Sequence, residues 1–247
     1  MLALHHIGVR FGGLTALDDV SLRVEPGRTV GVIGPNGAGK TTLFNVICGF
    51  VPQTAGVLTL DGQPFRPKPH QLTGRGIART LQGVGHFAGL SVLENVMTGA
   101  EHTARAGFAS ALFGLPRATR DERRLRAAAH AALERCGVAE HADQKPQSLP
   151  YAVRKRVALA RALVSEPRLL LLDEPAGGLA ADEILDLARL IAETQASVLL
   201  VEHHMDLVMS VCDEILVLDF GRPIAHGTPA EIQHNPAVAD AYLGAPA

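Results

Sequence analysis

The sequence predicts an α/β protein with a parallel-sheet core, interrupted by an inserted helical lobe. Short apolar, strand-like segments that precede helix-like segments occur near both ends of the chain, which is typical of parallel sheets. Between about residues 84 and 165 the signals are helical instead. With 247 residues, 47% of them hydrophobic, the chain can bury a large core. We expect one domain over 1–247, with its core at about 1–83 and 166–247.

The elements can be assigned in chain order. Thr29–Ile33 is short, β-branched and apolar, so it predicts a strand, and a helix-like stretch follows over 41–50. Capping boxes, in which a hydroxyl and a carboxylate three residues later satisfy the first amides of a helix, mark three helix starts. The boxes are Ser91 to Glu94, Thr119 to Glu122 (opening a helix to about Cys136) and Thr228 to Glu231; further strands are predicted at Gly56–Leu60, Leu169–Asp173, Ser197–Val201 and Ile215–Leu218, and a helix at Asp182–Thr194.

The composition of the chain limits the kinds of binding partner and the cellular compartment that we expect for the protein. A net charge of −2 and a pI of about 6.6 argue against binding to nucleic acid. Three cysteines without a CxxC pair favour a reducing compartment over disulfides or a zinc site. The N-terminus has no signal-peptide pattern, and no apolar run approaches the roughly 20 residues that cross a bilayer. If the protein serves a membrane, we expect it to do so from the cytosol, through partners.

The strongest motif is a match to G-x-x-x-x-G-K-[ST] between a predicted strand and a predicted helix. Its glycines let backbone N–H groups turn towards phosphate oxygens, and the following helix points its positive end at them. Lys40 would neutralise the β- and γ-phosphates, and the Thr41 hydroxyl is placed to bind Mg²⁺. The motif predicts an ATP-binding, P-loop NTPase (RecA-like) fold, and its residues are Gly34, Pro35, Asn36, Gly37, Ala38, Gly39, Lys40, Thr41 and Thr42.

A second motif is the apolar strand 169–172, which ends in Asp173 and Glu174. A buried parallel strand delivers such acids to the carboxyl edge of the sheet, where these folds bind ligands. Asp173 is then a candidate Mg²⁺ ligand, and Glu174 is a candidate base that orients or deprotonates the attacking water.

Further segments, in order, resemble the motifs of ABC-type ATPases. Gln82 lies in GIARTLQGVGHF, which is similar to the loop that joins the catalytic core to the helical lobe. Residues 149–163 resemble the signature helix, and Val201 to His203 the end of the switch-histidine strand. The resemblance implies that Gln82 contacts Mg²⁺ and senses the γ-phosphate, that His203 clamps the γ-phosphate, and that Phe11 stacks on adenine. A core position for Phe11 is the alternative.

Within that family the chain is most similar to ATPase subunits of branched-chain (hydrophobic) amino-acid importers. The similarity rests on GIARTLQ, SVLENV, a signature beginning LPY, the segment VEHHMDLVMSVCDEILVLDFGRPIAHGTPAEI and the ending AYLG. It implies two membrane permease subunits, a second ABC ATPase subunit, an indirect solute-binding protein and a peripheral position on the cytoplasmic face of the plasma membrane. Urea or short amides are alternative solutes.

The signature departs from the family pattern Leu-Ser-Gly-Gly-Gln. The departure puts in doubt the contact of this signature with the ATP of the second subunit. It favours a heterodimer over a homodimer. An ABC module that hydrolyses ATP very slowly and acts as a regulatory subunit is an alternative function. A soluble ABC ATPase acting on RNA, ribosomes or DNA is a further alternative, although the chain lacks the second cassette or long coiled-coil arms usual there. The signature here reads Leu149, Pro150, Tyr151, Ala152 and Val153.

Overall fold

The computed structural model of the chain describes residues 1–80, 84–104 and 116–243. Within these residues the strands are β1 Leu2–Phe11, β2 Leu14–Val24, β3 Thr29–Ile33, β4 Ala55–Leu60, β5 Gln63–Pro64, β6 Ile77–Arg79, β7 Leu169–Asp173, β8 Ser197–Val201, β9 Glu214–Asp219 and β10 Arg222–Gly227. The α-helices are α1 Lys40–Ile47, α2 Val92–Gly99, α3 Pro116–Arg135, α4 Tyr151–Leu163, α5 Ala181–Ala192, α6 Met205–Val211, α7 Pro229–Gln233 and α8 Pro236–Leu243. Short 3₁₀ turns occur at Pro69–Gln71, Thr73–Arg75, Glu101–Thr103, Ala139–His141 and Pro146–Ser148.

The centre of the fold is a six-stranded sheet in the order β10-β9-β3-β8-β7-β6. The pairs from β9 to β6 are parallel, and β10 pairs antiparallel with β9 at one edge. Every residue of β7 and β8 is buried, as expected for parallel strands that are covered on both faces. The predicted α/β fold with a parallel core is therefore confirmed.

A second, antiparallel sheet in the order β2-β1-β4-β5 is a feature that the sequence analysis did not predict. Its inward-facing side chains join those of α1 and one face of the central sheet in a single apolar core, with Phe44 fully buried in it. The other face of the central sheet packs in a separate core with the helices that follow. The phosphate-loop helix is thus held between the two sheets.

The helices α2, α3 and α4 pack on one another and form the helical lobe. The predicted capping boxes at Ser91 and Thr228 are both formed. The box predicted at Thr119 is wrong, because α3 already runs from Pro116 and Thr119 lies inside it. A proline is compatible with the first turn of a helix, and the Glu122 carboxylate instead lies 3.6 Å from Arg126 one turn later.

The predicted strands at Thr29–Ile33, Leu169–Asp173 and Ser197–Val201 have the bounds that the sequence indicated. The helix predicted over 41–50 is shorter, because α1 ends at Ile47. Gly49 has φ +76° there, and a Cβ on it would lie 2.3 Å from the Pro67 carbonyl oxygen, so the chain turns away from the helix axis.

No helix among the described residues is long and apolar enough to cross a membrane.

Candidate functional site

The phosphate loop connects the carboxyl end of β3 to α1, and two of its glycines are required by close packing. A Cβ on Gly34, whose φ is +149°, would lie 2.1 Å from the Leu218 carbonyl oxygen. Gly39 caps α1 with φ +101°, and a Cβ there would lie 2.8 Å from the Ala16 carbonyl oxygen. Neither position accepts a side chain without backbone movement, so the path of the loop depends on these glycines.

Lys40 is the first residue of α1, and its side chain reaches back to the start of the loop. Its Nζ donates hydrogen bonds to the carbonyl oxygens of Gly34 at 2.6 Å and Pro35 at 2.9 Å, and the residue is only 7% exposed. Burial lowers the pKa of Lys40 below its ordinary value, and the nearby negative charge of Glu174 opposes that shift. The ammonium group is therefore held by the loop, within electrostatic range of Glu174.

Strand register brings the other candidate residues to the same edge of the sheet. Val32 pairs with Val201, and Val201 pairs with Asp173, so β3, β8 and β7 end side by side. The phosphate loop, the segment with His203, and Glu174 follow these three strand ends directly. The structure therefore brings together three motifs that are far apart in the sequence.

Asp173 is 4% exposed, and its carboxylate is paired with Arg79 of β6. Arg79 Nη2 donates to Asp173 Oδ2 at 2.8 Å, while Nη1 donates to Asn45 Oδ1 of α1 at 3.3 Å. A buried carboxylate needs such a partner, because burying an unpaired charge costs several kcal/mol. Arg79 is a site residue that the sequence analysis did not identify.

Glu174 has a left-handed backbone, with φ +47°, which is uncommon for a residue other than glycine. Its N–H donates to the Val201 carbonyl oxygen at 2.9 Å. The residue is half-buried. The turn directs the chain out of the sheet immediately after Asp173, so the two acids occupy different environments.

His203 lies two residues after the end of β8, and its side chain is 51% exposed. Its ring lies 4.6 Å from the ring of His204 between centroids. Phe11, at the end of β1, is 50% exposed, so it does not occupy the alternative core position. Gln82 lies outside the described residues.

The altered signature begins α4. Pro150 is the residue before the first helical turn, and the first α4 residue whose N–H is bonded within the helix is Arg154, which donates to the Pro150 carbonyl oxygen at 3.1 Å. Tyr151 is 39% exposed, whereas Val153 packs partly against the apolar core. In the described part of the chain no side chain caps this helix start. Its first N–H groups thus remain available as donors.

A second site residue that the sequence analysis did not identify is Glu202, which is fully buried next to His203. The pattern that pointed to Asp173, an apolar strand ending in an acid, also occurs at Val201–Glu202 and could have indicated it.

Comparison with known proteins agrees with this arrangement. Residues 17–177 match the family described as ABC transporter, and residues 222–247 match the family described as branched-chain amino acid ATP-binding cassette transporter. The high-affinity branched-chain amino acid transport ATP-binding protein BraF of Pseudomonas aeruginosa is 41% identical, over 99% of this chain and 98% of its own length. Its counterpart LivG of Escherichia coli K12 is 40% identical over the same shares.

Solved structures give the same result. A nucleotide-free ATP-binding cassette from an ABC transporter superposes with a TM-score of 0.85 and 30% identity, covering 99% of both chains. The ADP conformation of such a cassette also has a TM-score of 0.85 and 30% identity, over 99% of this chain and 98% of its own. This chain therefore belongs to the ABC transporter family of ATP-binding proteins and is an ATPase of the transport-coupled type. Within that family it belongs with the branched-chain amino acid ATP-binding cassettes.

Proposed function

We propose that this chain hydrolyses ATP on its phosphate loop and thereby powers the import of branched-chain amino acids. The observation that carries the proposal is the meeting of Lys40, Asp173–Glu174 and His203 at one edge of the central sheet. The relatives named for branched-chain amino acid transport support the solute class. The loop residues Gly34 to Thr42 would hold the phosphates, and exposed Phe11 would stack on adenine.

The donor set of the site fits Mg²⁺, which prefers hard oxygen ligands and keeps several of its waters. Thr41 offers an exposed hydroxyl at the start of α1, and Asp173 offers the carboxylate oxygen that Arg79 does not occupy. Gln82 is the third proposed ligand. A bound Mg²⁺ would supply charge neutralisation between the β- and γ-phosphates.

In the proposed reaction, Glu174 orients a water molecule towards the γ-phosphorus and accepts its proton. The oxygen of this water bonds to phosphorus while the bond to the β-phosphate oxygen breaks, which yields ADP and inorganic phosphate. His203 would donate a hydrogen bond to the γ-phosphate, because its exposed side chain lies just after β8, and β8 ends beside the strand that leads into the phosphate loop. Lys40 would stabilise the charge that develops on the phosphate oxygens.

The proposed assembly contains two permease subunits and a second ABC ATPase, on the cytoplasmic face of the membrane and served by a solute-binding protein. We assign the core to about 1–83 and 166–247 and the helical lobe to about 84–165. The solute is tested by purifying the tagged complex, reconstituting it in vesicles with its binding protein, and measuring uptake of labelled leucine. Uptake of urea or short amides in place of leucine would show that the assigned solute is wrong.

We further propose that the chain forms an asymmetric heterodimer with a second ABC ATPase. The altered signature is the basis of this proposal. In such a dimer this signature faces the ATP on the partner's loop, while this chain's own loop faces the partner's signature. Ala152 adds a methyl group where backbone must approach phosphate closely, and Val153 cannot donate from its side chain. Loss of one preorganised donor slows hydrolysis roughly a hundredfold or more in studied enzymes, and the free N–H groups that start α4 should reduce the loss here.

We therefore expect the double variant Ala152→Gly, Val153→Gln to accelerate hydrolysis at the partner's site. The rate is measured in complexes whose own site is silenced by Glu174→Gln, so that only the partner's loop turns over ATP. Size-exclusion chromatography verifies that each complex is intact. An unchanged rate in an intact complex would contradict the asymmetry and indicate that the present signature suffices.

A groove between β6 and the helical lobe is the proposed docking surface for a permease segment. It is lined by Arg79, Gly85, Phe87, Thr98 and Arg161, among others. The main chain of Phe87 is fixed by the buried Asn95 side chain, which accepts from Phe87 N–H at 2.8 Å and donates to its carbonyl oxygen at 3.1 Å. The Phe87 ring itself is 55% exposed. Because it is not part of the lobe core, the ring offers an apolar contact for a partner.

We expect Phe87→Ala to weaken association with the permeases and to leave ATP affinity unchanged. Co-purification of the tagged chain reports association, and binding of a fluorescent ATP analogue reports the nucleotide site. Phe220→Ala is the matched control, since this ring is 85% exposed and lies outside the groove. Normal co-purification of the Phe87 variant would argue against the docking surface.

A further inference from the structure

The main chain that carries Glu174 is held by a lysine from the signature helix. Lys155 Nζ donates to the carbonyl oxygen of Glu174 at 2.9 Å and to that of Pro175 at 2.8 Å. Lys155 lies one turn into α4. An ammonium group bonded to two successive carbonyls limits rotation of the peptide units that set the left-handed conformation of Glu174.

A buried carboxylate at the end of β8 holds the same segment. Glu202 is 0% exposed, and its Oε1 accepts the Ala176 N–H at 2.8 Å. Its Oε2 accepts the N–H groups of His203 at 2.6 Å and His204 at 2.9 Å. One side chain therefore connects the loop after Glu174 to the segment that carries the switch histidine.

The signature residue Tyr151 adds a third contact to this arrangement. Its ring lies against Gly178, where a Cβ would be 3.0 Å from the ring Cε1, and the Lys155 ammonium lies 5.4 Å from the ring centroid. The start of α4 and the loop that follows Glu174 are thus packed directly on each other.

We propose that Lys155 and Glu202 are positioning residues that clamp residues 174–176, one from α4 and the other from the end of β8, so that the signature helix, the Glu174 turn and the His203 segment keep one relative arrangement. In the proposed dimer the start of α4 faces the partner's ATP, and Lys155 connects that helix to the Glu174 of its own chain. The clamp therefore links the two ATP sites, and this part of the inference rests on the proposed function.

The charges of the two residues fit this role. Burial lowers the pKa of Lys155, and the negative charges of Glu202 and Glu174 oppose that shift. The Lys155 ammonium thus compensates for the negative charge of Glu202, which is itself buried. Neither residue needs to contact ATP, because each acts on Glu174 or His203 through the main chain.

The clamp is tested first in the isolated chain by hydrogen exchange. We expect Lys155→Met to accelerate exchange of amides in residues 174–178 roughly tenfold or more, since a bond to a charged group is lost. The phosphate loop should be unaffected. Lys145→Met is the matched control, because Lys145 Nζ also donates to a main-chain carbonyl, that of Gly89, at 2.7 Å. Unchanged exchange in residues 174–178 would overturn the clamp whatever the protein transports.

The catalytic consequence is tested in the assembled complex. Displacement of a catalytic group by about 1 Å lowers rates by about a hundredfold, so we expect Lys155→Met to reduce kcat strongly while KM for ATP is unchanged. Lys155→Arg should restore most of the rate, since a guanidinium can also donate to two carbonyls. Glu202→Gln should reduce kcat as well. Both carboxylate oxygens of Glu202 accept backbone N–H groups, and the NH₂ group of glutamine would replace one of these acceptors with a donor.

The outcomes separate the clamp from the proposed function. A parent complex without ATP turnover, or a Glu174→Gln complex with the parental rate, would contradict the proposed function, and hydrogen exchange would still decide the clamp. Parental kcat in both Lys155→Met and Glu202→Gln, in a complex that loses turnover with Glu174→Gln, would contradict the positioning role. A rise in KM with unchanged kcat would likewise contradict it, because the two residues would then serve binding.

Discussion

Lys40→Ala is expected to abolish ATP binding at micromolar concentrations. Each hydrogen bond to a charged group contributes about 1.5–3 kcal/mol, or roughly 10- to 150-fold in affinity, and Lys40 is the ammonium group within the phosphate loop. The variant also loses the two bonds from Nζ to Gly34 and Pro35 that organise the loop. Titration with a fluorescent ATP analogue measures the change.

The control for this variant is Lys68→Ala, which removes an exposed lysine away from the loop. Its ATP affinity should equal that of the parent. Thermal unfolding of both variants shows whether the loss at Lys40 is local. Parental affinity in a folded Lys40→Ala protein would show that the ammonium group does not bind the phosphates.

Glu174→Gln is expected to preserve ATP binding and to stop hydrolysis in the complex. A positioned acid–base group contributes about 10²–10⁴-fold to rate, and the amide cannot accept the proton of the attacking water. Since Gln keeps the size of the side chain, the left-handed turn and its bond to the Val201 carbonyl should remain. ATP then persists between the subunits, and stable dimers should appear in size-exclusion chromatography.

Glu193→Gln serves as the matched control, because Glu193 is exposed at the end of α5 and lies outside the site. It should hydrolyse ATP at the parental rate and form no stable dimer. Parental turnover in the Glu174→Gln complex would mean that another group activates the water. Lys40→Ala and Glu174→Gln together distinguish a loss of ATP binding from a loss of hydrolysis.

Much of the site could be predicted from the sequence because its motifs are local. The phosphate loop joins one strand to the next helix, so glycine spacing and a following lysine suffice to place it. Asp173 and Glu174 were found because a continuous apolar run, typical of a buried parallel strand, leads directly into two acids. The capping boxes at Ser91 and Thr228 depend on residues three positions apart. The box at Thr119 has the same pattern, yet its helix begins earlier, at Pro116. A local pattern therefore shows that a residue could cap a helix, and not that a helix begins there.

The contacts that decide how the site is held depend on the tertiary structure. Arg79 and Asp173 are 94 positions apart and meet because β6 and β7 are neighbours in the sheet. Lys155 reaches Glu174 because the start of α4 packs on the loop that follows Glu174, and its acceptors are main-chain carbonyls that every residue possesses. The sequence shows that a lysine or an acid is present. An interaction with the backbone of a distant segment requires no particular residue there, so no sequence motif marks it. The sequence by itself determined where the phosphate-loop and acidic motifs lie, because each is a run of adjacent residues, and the order of the strands decided which charged side chains meet them.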